Sequence, residues 1–255
     1  MSIFDSHAHY DDAAFDGDRE ALLDALPERG VTGVINAGAS LRGCRDSVRI
    51  AERYGYVYAA VGIHPEHAAD FNEECRREVE ALLQHRKTVA AGEIGLDYHY
   101  EDAPPKEVQQ RVFAEQLALA NRLGLPVVVH DRDAHGDTMS LLREYRPRGV
   151  LHCFSGSPEM AQELLSLGMY LGLGGAVTFR NAKKVKAVAD MVPLDRLLLE
   201  TDAPYMAPVP LRGNRCDSSM IRYAAEEIAS RRGLSAEALL AHCEENARRL
   251  FRISK

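Results

Sequence analysis

Two hydrophobic rhythms take turns along this chain. Short runs rich in Val, Ile, Leu and Ala are each followed by a longer stretch whose apolar positions recur at helical spacing. The runs predict strands at Ile3–His9, Val31–Ala37, Tyr56–His64, Thr88–Ile94, Pro126–His130, Val150–Phe154, Met169–Leu173 and Leu197–Asp202. Several are apolar at consecutive positions, as in Val127-Val128-Val129 and Leu197-Leu198-Leu199, which is how strands buried on both faces of a parallel sheet read. The stretches between them predict helices around residues 17–29, 41–54, 72–86, 105–123, 136–146, 158–167 and 181–190, with two more near 218–232 and 235–250. Pro104 and Pro105 open the helix near 105, where a missing N–H costs little, and Gly124 closes it. Ser157 and Ser235 stand where helix N-caps belong.

Eight strands each followed by a helix predict a (β/α)8 barrel, an α/β fold, although a doubly wound open sheet gives the same alternation. No Gly/Ser/Pro-rich linker, low-complexity segment or repeat divides the chain, so residues 1–255 are expected to form a single domain.

Candidate chemistry gathers where the apolar runs end, which in a barrel is where working side chains stand. In Asp5-Ser6-His7-Ala8-His9 two imidazoles lie two positions apart, so an extended strand would send both to one side as a half-set of ligands for a divalent metal. Taken alone, the pair reads equally well as two surface histidines. The pattern recurs in Val61-Gly62-Ile63-His64, Ala91-Gly92-Glu93, Val128-Val129-His130, Leu151-His152 and Leu199-Glu200-Thr201-Asp202. Any one of these histidines reads as a hydrogen-bonded core residue. Six of eight strands ending this way is hard to reconcile with core packing, because buried charge is costly unless it is paired or binds a metal.

Composition narrows the class. With 46% hydrophobic and 27% charged residues in 255, the chain is an ordinary globular protein with ample core. Its 31 basic and 38 acidic residues leave a net charge of −7, so there is no overall basic footprint and any grip on phosphate must be local. Five scattered cysteines, none in C-x-x-C spacing, argue against a disulfide framework and a zinc ribbon. Asp5 follows the start at once with no cleavable apolar region behind it, and no apolar run approaches the ~18–20 residues that span a bilayer. A reducing, cytoplasmic setting is expected, with no membrane association and no obligate protein partner.

Six stretches together carry a resemblance. Asp5-Ser-His-Ala-His9, Gly62-Ile-His-Pro65, Gly92-Glu-Ile-Gly-Leu-Asp-Tyr98, Val129-His-Asp-Arg132, His152-Cys-Phe-Ser-Gly156 and Glu200-Thr-Asp-Ala-Pro204 span nearly the whole chain. In this order the set resembles the TatD family of metal-dependent deoxyribonucleases and hydrolases, related to the amidohydrolase superfamily. The resemblance implies a barrel with a two-metal site. His7, His9, Glu93 and Asp202 would hold one divalent ion, and a bridging Glu93 with His130 and His152 the other. Two ions roughly 3.5–4 Å apart activate water and stabilise both oxygens of a phosphodiester displacement. Asp202 would orient or deprotonate that water, with Glu93 as its catalytic partner on the ions.

The resemblance also suggests softer roles. His64 would contact a phosphate or product or else support a ligand from behind. Arg132 would meet a phosphate oxygen or serve as a structural ion-pair partner, and Asp5 and Glu200 would hydrogen-bond ligand histidines. The family pattern fails at Arg212-Gly-Asn-Arg-Cys-Asp-Ser218, which keeps both arginines of an Arg-Gly-x-Arg-Asn-x-Pro segment but not its Asn and Pro. Arg212 and Arg215 would grip substrate phosphate if they approach the site. Tyr98, Tyr100 and Phe154 read as loop packing against the rim rather than as base-stacking groups. Four imidazoles beside two carboxylates suit Zn, Mn, Co or Ni, and Mg is kept open because family members are described with it. The first functional reading is a DNA phosphodiesterase of exonuclease or repair type. A small-molecule hydrolase opening a lactone, ester or amide would use the same ligands. A barrel with a purely structural metal fits poorly, since structural zinc sites are closed and four-coordinate.

Overall fold

The structure is a computed structural model that describes residues 2–254. The strands are β1 (Ile3–Ala8), β2 (Val31–Ala37), β3 (Val57–Val61), β4 (Thr88–Asp97), β5 (Val127–Arg132), β6 (Gly149–Leu151), β7 (Tyr170–Leu173) and β8 (Leu197–Leu199). They lie in chain order in one eight-stranded, all-parallel sheet. The sheet closes on itself where Ala8 bridges Ala203, Asp202 N donates to His7 O at 3.0 Å, and His9 N donates to Ala203 O at 2.7 Å. This is the (β/α)8 barrel, and the open-sheet alternative is set aside.

The helices are α1 (Arg19–Ala25), α2 (Leu41–Arg53), α3 (Glu73–Leu83), α4 (Lys106–Leu123), α5 (His135–Tyr145), α6 (Pro158–Ser166), α7 (Lys183–Met191), α8 (Ile221–Arg232) and α9 (Ala236–Phe251). Their starts follow local chemistry. Ser40, Asn72, Ser157 and Ser235 each accept a backbone N–H from the first turn, as N-caps do. Gly124 ends α4 in the left-handed conformation, with φ 66°. Among the described residues no helix is long and apolar enough to cross a membrane.

Several boundaries differ from expectation, each for a local reason. The helix expected over 17–29 stops at Ala25, because Pro27 has no N–H to give, and a 3-10 turn over Pro27–Arg29 follows. The helix expected from 218 begins as a 3-10 turn, Ser218–Met220, capped by Asp217. Strand β4 runs on to Asp97, whereas β6 and β8 stop at Leu151 and Leu199. Beyond those two ends Cys153 (φ 44°) and Asp202 (φ 65°) turn the chain through the left-handed region.

The core has two layers. One apolar cluster takes a residue or more from every strand: Phe4, Ile35 and Ala37, Ala60, Ala90, Val128, Val150, Tyr170 and Leu198. It fills the lower barrel, and Ala247, Leu250 and Phe251 of α9 close it from below. The larger cluster lies between the strands and the surrounding helices. Polar side chains are thereby displaced to the upper end of the barrel.

Candidate metal centre

The upper end receives its side chains in two ways. On β5 and β6 the pleat is regular, so His130 and His152 lie two residues above the interior positions Val128 and Val150 and face the same way. On β1 and β4 the spacing is odd: His7 lies three residues above Phe4, and Glu93 three above Ala90. An unbroken pleat would turn both outward. The pairing register shifts between Asp5 and Ala8, and again between Ala91 and Ile94, and these irregularities re-aim His7 and Glu93 inward. Gly95 makes the second one possible, because a Cβ there would lie 1.9 Å from the backbone oxygen of His130.

Glu93 is the hub. Its Oε2 lies 3.3 Å from His7 Nε2 and 3.4 Å from His9 Nε2. Asp202 Oδ1 lies 3.6 and 3.4 Å from the same two nitrogens, which are 2.9 Å from each other. The other oxygen, Glu93 Oε1, lies 2.7 Å from both His130 Nδ1 and His152 Nε2, with His64 Nε2 at 3.8 Å. His130 Nδ1 and His152 Nε2 are 3.3 Å apart.

These separations fit a metal. Four donors about 2.1 Å from a central ion, tetrahedrally placed, would be separated by about 3.4 Å. The first group, His7, His9, Glu93 and Asp202, matches that spacing along five edges between 2.9 and 3.6 Å. Donor orientation agrees. His9 Nδ1 donates to Ala37 O at 2.8 Å, and His130 Nε2 donates to Asp97 Oδ2 at 3.1 Å, so each ring turns its other nitrogen toward Glu93. The buried Nδ1 atoms of His7 and His152 have no hydrogen-bond partner, which leaves Nε2 as the engaged edge of both rings.

Electrostatics point the same way. Burial alone would raise the Glu93 carboxyl, but His152, His7, His64 and the hydrogen bond from His130 hold it well below the usual range. Burial likewise opposes ionisation of Asp202, and His9, His7 and His152 outweigh it. Burial disfavours charge on His9 and His130, yet their carboxylate neighbours push both up to about 10. His7, which burial dominates, falls to about 4. The cluster is built to hold positive charge between its carboxylates.

The remaining expected site residues fall out unevenly. His64 borders the cluster. Its Nδ1 accepts the Glu66 N–H at 3.3 Å, so Nε2 carries the proton, and burial holds the ring neutral with a pKa near 3. Arg132 lines the pocket, donating to Tyr100 Oη at 3.0 Å with its guanidinium over that ring. Asp5 corrects an expectation. It accepts the His7 backbone N–H rather than the ring, along with Thr201 N at 3.0 Å, Thr201 Oγ1 at 2.6 Å and Ser218 Oγ at 2.6 Å. It ties the last strand to the first, and burial raises its carboxyl to about 6.

Glu200 also makes no hydrogen bond to an imidazole. Its carboxylate accepts the Cys153 N–H and stays 3.8 Å from His152 Nδ1. Arg215 is committed elsewhere, paired with Asp18 at 2.6 Å and laid over Phe15, and Arg212 lies over Phe179 in a separate cavity. The loop after β8 directs both away from the cluster. Asp97, buried against His130, was not singled out by sequence reasoning, although it stands four residues beyond Glu93 within the same matched stretch. Tyr98 packs as expected, donating to Asp137 at 2.9 Å, but Tyr100 is 45% exposed and faces the pocket. That pocket holds about 680 Å³ and opens to solvent past Asp11, Asp12, Glu66, Tyr205 and Met206.

A parallel barrel whose upper rim gathers histidines and carboxylates around a shared glutamate defines the class of metal-dependent barrel hydrolases. The chain belongs to the TatD family: the family model described as TatD related DNase matches residues 4–252. It is 41% identical to the uncharacterized metal-dependent hydrolase YabD of Bacillus subtilis, over 99% of this chain and 100% of that protein. It is 36% identical to the 3'-5' ssDNA/RNA exonuclease TatD of Musicola paradisiaca, covering 99% of each. Among solved structures, the TatD homologue YJJV of Escherichia coli superposes with a TM-score of 0.92 at 33% identity, over 99% of this chain and 98% of that one.

Proposed function

We propose that this protein is a metal-dependent phosphodiesterase that removes nucleotides from the 3′ end of single-stranded DNA or RNA. The observation that carries the reading is the division of Glu93 between two donor groups, Oε2 toward His7 and His9 and Oε1 toward His130 and His152. Two divalent ions would be held, one by His7, His9, Glu93 and Asp202, the other by Glu93, His130 and His152. When bound, they would supply an activated water and charge stabilisation for both oxygens of the displacement. The name of the Musicola relative supports the substrate and its polarity.

The chain's own residues do the rest. Asp202 turns Oδ1 toward the imidazoles, and its other oxygen orients the attacking water and takes its proton. Its depressed pKa keeps it ionised for that role. His64 offers Nε2–H to a phosphate oxygen, and Arg132 offers its guanidinium from the rim. Asp97 and the Ala37 carbonyl fix the His130 and His9 rings. Five free thiols fit a reducing, cytoplasmic setting.

One observation favours a second reading, a small-molecule lactone, ester or amide hydrolase. Among the described residues Arg132 is the one arginine lining the pocket, against Asp11, Asp12 and Glu66. The test is cleavage of 3′- and 5′-labelled single-stranded DNA by protein loaded with Mn²⁺, Mg²⁺, Zn²⁺, Co²⁺ or Ni²⁺, with Asp202→Asn as control. Metal-dependent shortening from the 3′ end, lost in the variant, is expected. Intact DNA in the presence of about two bound ions per chain would transfer the site to the second reading.

A further inference from the structure

A second cavity, of about 320 Å³, lies outside the metal pocket and is lined by Phe179, Arg180, Asn181, Ala182 and Arg212. Its walls are the segment after β7 and the loop after β8, so it opens on the same end of the barrel as the metal cluster. Most exposed arginines are neutralised: Arg45 by Glu78, Arg53 by Glu20, Arg143 by Glu163 and Arg231 by Asp190. Arg180 and Arg212 are exposed, and among the described residues neither has a carboxylate within 4.0 Å. Lys183 and Lys184, at the start of α7, are also exposed and add positive charge just behind them.

Arg212 is held in place without being neutralised. Its guanidinium lies 4.3 Å over the Phe179 ring, which fixes the plane of the group and leaves its N–H edge free for an acceptor. Two planar donors and an aromatic ring around one cavity, in a chain of net charge −7, form a local site for a phosphodiester backbone.

The cavity is coupled to the metal pocket through shared loops. Met206 and Tyr205 line the metal pocket, and Arg212 of the same loop lines the cavity. Arg212 stands six positions beyond Met206, so the two sites lie within about 20 Å along the chain even if it is fully extended. Thr178 Oγ1 accepts Val209 N–H at 2.9 Å, and Gly175 is pressed so close to Met206 that a Cβ would lie 2.1 Å from its carbonyl oxygen. The loop after β8 is thereby fastened to the segment that carries Phe179 and Arg180. The acidic rim of the metal pocket, with Asp11, Asp12 and Glu66, repels a polyanion, and the basic cavity compensates on the open side.

We infer that this cavity is a second strand-binding subsite. It takes the backbone phosphates of single-stranded nucleic acid a few nucleotides from the end that occupies the metal pocket. The inference rests on the nuclease reading for its substrate class, but its test does not depend on cleavage. Fluorescence anisotropy would follow a labelled, phosphorothioate-linked 20-mer binding to the metal-loaded enzyme, to Arg180→Ala/Arg212→Ala, and to Arg180→Glu. The double variant should bind about tenfold more weakly at low salt and lose about 1.4 from the slope of log affinity against log salt, two phosphate contacts' worth for a single strand. Arg180→Glu should be at least as weak. With cleavable substrates the loss in kcat/KM should grow with strand length from dinucleotide to 20-mer.

Equal affinities and slopes for all three proteins, or no binding by the wild type, would overturn the subsite. An equal loss at every strand length would also overturn it. If the wild type binds the strand through these arginines yet cuts no nucleic acid, the subsite stands and the nuclease reading fails. Displacement of the 20-mer by polyglutamate as readily as by unlabelled DNA would overturn the nucleic-acid assignment in favour of an acidic protein segment.

Discussion

Strands β5 and β6 and strands β1 and β4 deliver the same kind of side chain to the same place by different means. His130 and His152 rise from regular pleats above Val128 and Val150, so alternation alone aims them. His7 and Glu93 sit at odd spacing above Phe4 and Ala90 and reach the interior only through register shifts. The difference shows how one barrel carries an apolar lower layer and an ionisable upper layer on the same strands. A regular strand continues the core's own face upward, whereas a shifted strand brings in residues that its pleat would otherwise have turned toward the surrounding helices. The donor shared by both halves of the cluster comes from a shifted strand.

The sharpest way to break the comparison is to remove that shared donor. Glu93→Gln should lose both ions and lower kcat/KM by well over the ~100-fold typical of an outlying contact, whereas His130→Ala should lose one. Metal analysis beside activity checks this, and two ions retained by Glu93→Gln would refute the sharing. Next comes the shift itself. Gly95→Ala forces a Cβ onto the His130 carbonyl, and the crowding should destabilise the fold by about 3 kcal/mol in denaturant unfolding. An unchanged midpoint would mean that β4 and β5 part without cost.

A smaller effect is expected from the groups that orient the rings. Asp97→Asn weakens the hold on His130 and should reduce metal affinity or activity about 10- to 100-fold. Asp5→Asn, which touches no imidazole ring, should instead lower the melting temperature, and the two variants' profiles should not exchange. The smallest effect is a pH dependence of the metal-stripped protein. His9 and His130 are raised to about 10 from an ordinary 6.5, so the folded state binds more protons than the unfolded one between those values. The stability they contribute is complete below pH 6.5 and is lost as pH climbs toward 10. Thermal melts should fall over pH 7 to 10 when metal is stripped and stay flatter when it is restored.

The barrel was legible because hydrophobic periodicity is local, and the donor residues were legible because each closes an apolar run. What stayed hidden depends on contacts between distant segments. Nothing near Asp5 announces that its carboxylate meets Thr201 and Ser218 rather than the ring of His7. Arg212 and Arg215 lie in a loop with no periodicity, and their partners, Phe179 and Asp18, stand far back in the chain, the second 197 residues away. Asp97 escaped because β4 was expected to end at Ile94, which would have left it in a loop instead of on a strand beside His130. The short ends of β6 and β8 were missed for the opposite reason: the chain leaves the sheet after Leu151 and Leu199 and turns at Cys153 and Asp202 through the left-handed region, which non-glycine residues seldom adopt.

The seam between the first and last strands has a consequence in time. His7 and His9 leave the ribosome long before Asp202, the carboxylate that completes their group, and the contacts that close the barrel there involve Ala203 and Ser218. A nascent chain short of that point carries imidazoles and Glu93 but no finished first group. The first donor group therefore waits on Asp202, and a product truncated before that residue would be born without it.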